Sequence, residues 1–78
     1  MTQEIWCPRC NQGWVMDVRI IPVARDAFVC QECDALWFER DEIAATSFVD
    51  FGTFLLQHGG KGLWSELEVR GRARRPGT

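Results

Sequence analysis

The sequence predicts a small α+β domain held together by a metal ion, and three observations lead there. The chain has 78 residues, too few to bury a core that comfortably outweighs the entropy of ordering it. Its four cysteines fall in two equal pairs, Cys7-Pro-Arg-Cys10 and Cys30-Gln-Glu-Cys33. Between the pairs the residues alternate as in a strand, and after them the apolar spacing becomes helical.

The first six residues, Met1-Thr-Gln-Glu-Ile-Trp6, contain neither a basic stretch nor an apolar run, so they do not read as a secretory signal. The stretch from Phe48 to Leu56 is interrupted and short of the roughly 20 apolar residues needed to cross a bilayer. A soluble, cytoplasmic protein with no membrane partner is the expectation, and there the thiols stay reduced.

Gly13-Trp-Val-Met-Asp-Val-Arg-Ile-Ile21 reads as the first strand. Trp14, Met16, Val18 and Ile20 lie on one face and Val15, Asp17 and Arg19 on the other, with Val15 blurring the alternation. Pro22 to Asp26 supplies the turn, and Ala27-Phe-Val-Cys30 returns as a second strand that brings the second cysteine pair beside the first. Ala35-Leu-Trp-Phe38 reads as a third short strand, and Glu39-Arg-Asp-Glu-Ile43 suits the acidic first turn of a helix.

Nineteen residues separate the two pairs, a spacing that fits a four-thiolate zinc site. A two-residue spacer lets each pair close a tight turn on one ion, and two such turns complete the tetrahedron that zinc prefers. Cys7, Cys10, Cys30 and Cys33 are therefore the expected ligands of one structural zinc ion, and the architecture is that of a zinc ribbon, a β-hairpin with two CxxC knuckles. Two disulfides, a redox CxxC and an iron–sulfur cluster compete with zinc. The reducing compartment, the doubled spacing and the extended lead-in to each pair weigh against them.

Beyond the cysteines, Cys30-x-x-Cys33-x-x-x-Trp37-Phe38-Glu39-x-x-Glu42-Ile43 resembles the small bacterial zinc ribbons of the transcription factor IIB type. In those, the second knuckle is followed by tryptophan, another large apolar residue and an acidic helix start. The resemblance covers residues 6–43 and implies the fold and the ligand set, but not an activity. Asn11 and Asp34 stand where that family often has glycine, and both residue types tolerate a left-handed backbone.

The remaining chain divides into an extension over 44–69 and a tail over 70–78, so that 1–69 is one domain with its ribbon in 1–43. In the extension Asp50 is placed as the N-cap of a short helix ended by Gly59 and Gly60. Phe48, Phe51 and Leu55 are spaced to lay an apolar stripe on the ribbon. Lys61 to Val69 reads either as a further helical turn, with Trp64 and Leu67 on one face, or as a last strand. The arginine-rich end from Arg70 has no apolar period and reads as disordered.

Charge separates the same two parts. Residues 1–69 hold five basic and all eleven acidic residues, net −6, and the four arginines of the tail add +4. Seven acids lie between Asp26 and Asp50 against Arg40 alone. A negative body repels phosphate backbones and attracts basic proteins. With four tryptophans in so short a chain, some are expected to face a partner. Trp14 and Trp37 are placed over the knuckles. The candidate partner surface is Trp6, Glu32, Asp34, Trp37, Phe38, Glu39, Asp41, Glu42 and Trp64. His58, the one histidine, reads as a solvated helix end. No residues combine into a catalytic constellation or a phosphate-binding loop, so the expected function is non-catalytic. The chain reads as a protein-interaction module for a basic partner, of which an immunity protein inhibiting a nuclease toxin is a concrete instance. Alternatives are a nucleic-acid-binding or transcription-associated ribbon acting through the tail, and an accessory subunit of a larger enzyme.

Overall fold

The computed structural model describes residues 2–76. Its centre is the hairpin of β2 (Val15–Ile20) and β3 (Arg25–Cys30), paired from Val15 with Cys30 to Ile20 with Arg25. A 3₁₀ turn over Ile21–Val23 joins them, and Ala24 closes it at φ 51° by donating its N–H to the Ile21 carbonyl. β4 (Ala35–Trp37) pairs with β3, and β5 (Val49–Asp50) with β4. β6 (Leu67–Arg72) lies on the other side of β2, which completes an antiparallel sheet of order β5-β4-β3-β2-β6. β1 (Thr2–Glu4) and β7 (Arg74–Pro76) form a separate two-stranded ribbon.

Alternate residues of the central strands enter two different apolar clusters. Val15, Cys30, Ala35 and Trp37 join Ile5, Cys7, Ile43 and Ala73 in one, and Val18, Ile20, Ala27, Val29 and Leu36 join Phe51, Leu55 and Leu67 in the other. Successive strand side chains point to opposite faces, so these clusters cover the two sides of one sheet. Val15 therefore does not spoil the alternation read from the sequence: near the knuckles both faces are covered.

Helix α1 (Phe51–Gln57) closes the second face with Phe51 and Leu55. The expected cap is present: Asp50 Oδ2 accepts from the Thr53 backbone N–H at 2.9 Å and from its hydroxyl at 2.9 Å. At the other end Gly59 turns left-handed at φ 90°, and the Gly60 N–H reaches the Leu55 carbonyl at 2.7 Å. Phe48 does not share the helical stripe. β5 intervenes, and Phe48 packs on the opposite, cysteine-bearing cluster. Glu39–Ile43 makes only a single 3₁₀ turn over Arg40–Glu42, and Trp64–Glu66 makes another before Leu67 enters β6.

The largest correction concerns the end of the chain. Residues 70–76, expected to be disordered, lie in β6 and β7 and the single residue Ala73 between them, and residues 77–78 fall outside the described residues. The tail is held by backbone ladders, which need no apolar period, by ion pairs that neutralise two of its four arginines, and by Arg75, which donates to the Ile43 carbonyl. Arg70 lies 2.6 Å from Asp26, and Arg72 lies 2.9 Å from Glu4. One residue more on β6 than on β2 takes the register from Val18–Val69 to Asp17–Gly71, and Gly71, at φ 132°, supplies the conformation that this bulge requires. Because β6 pairs with β2, the expected boundaries after residues 43 and 69 do not divide the structure.

Candidate metal centre

The two cysteine pairs sit on equivalent turns. In the first, the Asn11 N–H donates to the Cys7 carbonyl at 3.0 Å, and in the second the Asp34 N–H donates to the Cys30 carbonyl at 3.2 Å. Asn11 and Asp34 stand at φ 56° and 60°, so the two residues expected to replace glycine do adopt the left-handed backbone. The turns face each other because Val15 pairs with Cys30 and the Cys7 N–H donates to the Gly13 carbonyl at 2.8 Å, which anchors both to the same end of the hairpin.

The four sulfurs lie within 4.8 Å of one another. Cys7 and Cys33 Sγ are 3.7 Å apart, and Cys10 and Cys30 Sγ 3.6 Å. A tetrahedral ion with metal–sulfur bonds of about 2.3 Å places its ligand sulfurs about 3.8 Å apart, so the cluster is close enough to hold one ion. All four cysteines are free of disulfides, with Cys7 and Cys30 buried and Cys10 and Cys33 partly exposed. The Glu32 and Cys33 N–H groups approach Cys30 Sγ at 3.4 and 3.5 Å, donors that favour a thiolate there. Arg9 links the knuckles by donating from Nη1 to the Cys33 carbonyl at 3.2 Å, while its guanidinium lies 4.1 Å from the centre of the Phe48 ring. Arg9 was not singled out by the sequence, and its position inside a CxxC pair is the only signal it leaves there.

Burial pushes the Cys7 thiol up despite the N–H groups of Cys10 and Arg9. Burial, reinforced by the neighbouring Cys7 and Cys10 thiols, pushes Cys30 up further. At Cys33 burial also acts upward, but the Ala35 N–H, with contributions from Cys30, Arg9 and Cys10, brings it below the ordinary thiol value. A cation entering the site must therefore displace protons from the buried pair.

Of the remaining candidates, the structure separates exposed from engaged residues. Trp37 is 1% exposed and donates its indole N–H to the Ala44 carbonyl at 3.2 Å, which removes it from any partner surface. A ring of that size on the inward side of β4 fills the space under the loop that follows. Trp64 and Asp34 bond to each other, Nε1 to Oδ1 at 3.0 Å, instead of facing outward together. Phe38 is half-buried between the Arg25 guanidinium, 3.8 Å from its ring centre, and Phe54 at 5.1 Å. Glu32, Glu39, Asp41 and Glu42 are exposed. Trp6 is 43% exposed, packed edge-on against Trp14 at 4.8 Å. It lines a groove of about 270 Å³ with Ile5, Pro8 and Ile43. Trp14 in turn carries the Arg72 guanidinium 4.7 Å from its ring centre. His58 lies on Phe54 at 4.3 Å.

Comparison with protein-family models, with curated proteins and with solved structures returned no match to the chain. No helix among the described residues is long and apolar enough to cross a membrane.

Proposed function

We propose that the chain is a zinc ribbon in which Cys7, Cys10, Cys30 and Cys33 hold one structural zinc ion, and that it acts as a protein-interaction module for a basic partner. Four thiolates satisfy a tetrahedral ion completely, which leaves no position for substrate or water and makes the metal a structural one. The resemblance of residues 6–43 to ribbons of the transcription factor IIB type agrees with this reading of the ligand set.

The observation that carries the partner assignment is the use of the arginines. Among the described residues, every arginine except Arg74 is engaged by a carboxylate, a carbonyl or an aromatic ring. Glu32, Glu39, Asp41 and Glu42, by contrast, make no ion pair among the described residues. With Lys61 and Arg74 as the cations left over among the described residues, the charge offered to an incoming molecule is on balance negative. Half-exposed Trp6, in a groove lined by Ile5, Pro8 and Ile43 together with Gln3, Glu4 and Arg75, offers an anchor next to the acidic turn Arg40–Glu42. A basic protein fits that surface, and an inhibitor that occupies the phosphate-binding cleft of a nuclease toxin is the specific instance the charge pattern supports. A nucleic-acid partner fits less well, since Arg70 and Arg72 are neutralised by Asp17, Asp26 and Glu4.

The test is capture on the immobilised, zinc-loaded chain at moderate salt, with E39K/D41K/E42K as control. The reading expects a basic polypeptide retained by the parent chain and lost by the control. Retention of a labelled oligonucleotide by the parent chain, with a steep salt dependence, would overturn it.

A further inference from the structure

Asp34 closes the second cysteine turn and also makes contacts beyond it. It follows the sulfur-bearing Cys33 directly, and its N–H is held by the Cys30 carbonyl at 3.2 Å. Its backbone is left-handed at φ 60°, a conformation that a non-glycine residue keeps only when its surroundings fix it. From that position its carbonyl accepts the N–H of Phe51, the first residue of α1, at 2.9 Å. Its side-chain Oδ1 accepts the Trp64 indole N–H at 3.0 Å. Trp64 in turn packs edge-on against Phe51, with ring centres 6.0 Å apart. The next residue, Ala35, pairs with Asp50, the N-cap of the same helix. One residue at the base of a knuckle thus anchors the start of α1 and the turn before β6, both on the face of the sheet away from the sulfurs.

We propose that Asp34 couples metal occupancy to the opposite face of the sheet, so that α1 and Trp64 are locked in place only when the four sulfurs hold an ion. This rests on the metal reading above and adds to it a path and a consequence. The ion ties the Cys30–Cys33 turn to the Cys7–Cys10 turn and thereby fixes the left-handed residue. Without it, the second turn keeps the Asp34 N–H bond to the Cys30 carbonyl, the Gln31 N–H bond to the Trp14 carbonyl, the exposed Arg9 bond to the Cys33 carbonyl and weak N–H contacts to the Cys30 sulfur, but no coordinate bond ties its sulfurs to those of the first turn. The acceptors for Phe51 and Trp64 then lose their fixed position. The surface formed by α1 and the segment that carries Trp64 becomes conditional on the metal, although neither element contributes a ligand. Coupling of this kind is reciprocal. If zinc steadies Trp64, then loosening Trp64 weakens zinc binding by the same factor.

The experiment uses the full chain with D34G, D34N and W64F. Glycine keeps the left-handed backbone and removes the acceptor oxygen, asparagine keeps both, and phenylalanine removes the indole donor. Two quantities are read: hydrogen exchange of the Trp64 indole and of the α1 amides, and zinc affinity by competition with a chelator. In zinc-loaded D34G the Trp64 indole is expected to exchange about tenfold faster, as loss of a bond to a charged acceptor implies. Its zinc affinity falls by a similar factor. W64F shows the same loss of affinity, and D34N stays within about twofold of the parent chain. If the parent chain binds zinc while D34G and W64F retain its affinity and α1 protection, the coupling is wrong and the metal reading stands. If the parent chain binds no zinc, both fall.

Discussion

The face of the sheet under α1 is filled by hydrocarbon and aromatic side chains, among them Val18, Ile20, Val29, Leu36, Phe51 and Leu55, all fully buried. The opposite face draws on the same three strands, but its buried cluster includes Cys7 and Cys30, with Cys10 and Cys33 packed against it. Burying a leucine is favourable in any medium that excludes water, whereas a buried thiolate is favourable only beside a cation. The first face is packed from the chain's own atoms, but its helix starts from Asp34 at the base of the second knuckle. The second depends on a reagent supplied from outside.

Removing that reagent is the most severe perturbation of the protein. Exhaustive chelation of the reduced chain, or Cys30→Ser, is expected to cost on the order of 10 kcal/mol, the scale of structural zinc binding and of the whole stability of a small domain. Circular dichroism should then show loss of both faces, not of the sulfur-bearing one alone. Because burial raises Cys7 and Cys30 in the metal-free site, zinc binding at neutral pH releases protons, and its affinity should rise with pH. Zinc uptake in weakly buffered solution with a pH indicator measures this directly.

A conventional core lesion sharpens the contrast. Leu36→Ala or Leu55→Ala leaves a cavity on the helix face and should cost about 2 to 5 kcal/mol in thermal or denaturant unfolding of the zinc-loaded protein. Zinc stoichiometry should stay at one per chain. Loss of the ion in these variants would show that damage to the helix face reaches the metal site more strongly than the Asp34 contacts alone imply.

Smaller effects are expected at the margins of each face. Asp50→Ala removes the α1 cap and should cost about 1 kcal/mol. The Thr53 N–H and hydroxyl hold the Asp50 carboxyl below its ordinary value. Its contribution is therefore complete above the usual carboxylate range, near pH 4, and fades as the pH falls through the lower folded value. Asp50→Ala should flatten the acid limb of the stability profile. On the metal face, Arg9→Ala loses a bond to the Cys33 carbonyl and a contact with the Phe48 ring. At so exposed a site about 0.5 to 1 kcal/mol is expected, read as a small drop in melting temperature.

What the sequence disclosed follows from how local each signal is. The knuckles, the hairpin, the third strand and the Asp50 cap rest on residues a few positions apart, and the structure has all of them. β6 and β7 rest on partners some fifty to seventy residues away, as when Ile20 pairs with Leu67 and Glu4 with Arg74. Nothing in a run of alternating arginines announces such partners. The exposed acids could be placed on the surface from composition alone, but the Trp64–Asp34 bond could not. Two polar groups separated by thirty residues meet only because β4 and β6 have first been brought into one sheet.

The antiparallel ladder of Thr2–Glu4 with Arg74–Pro76 has one further implication. Residues 2 and 76 are register partners, so labels attached near either would report from the same corner of the molecule. A short peptide bridge between those positions would turn the described chain into a ring without bending a strand. New ends could then be opened in the exposed loop over residues 44–47, which would yield a circular permutant with the same sheet order.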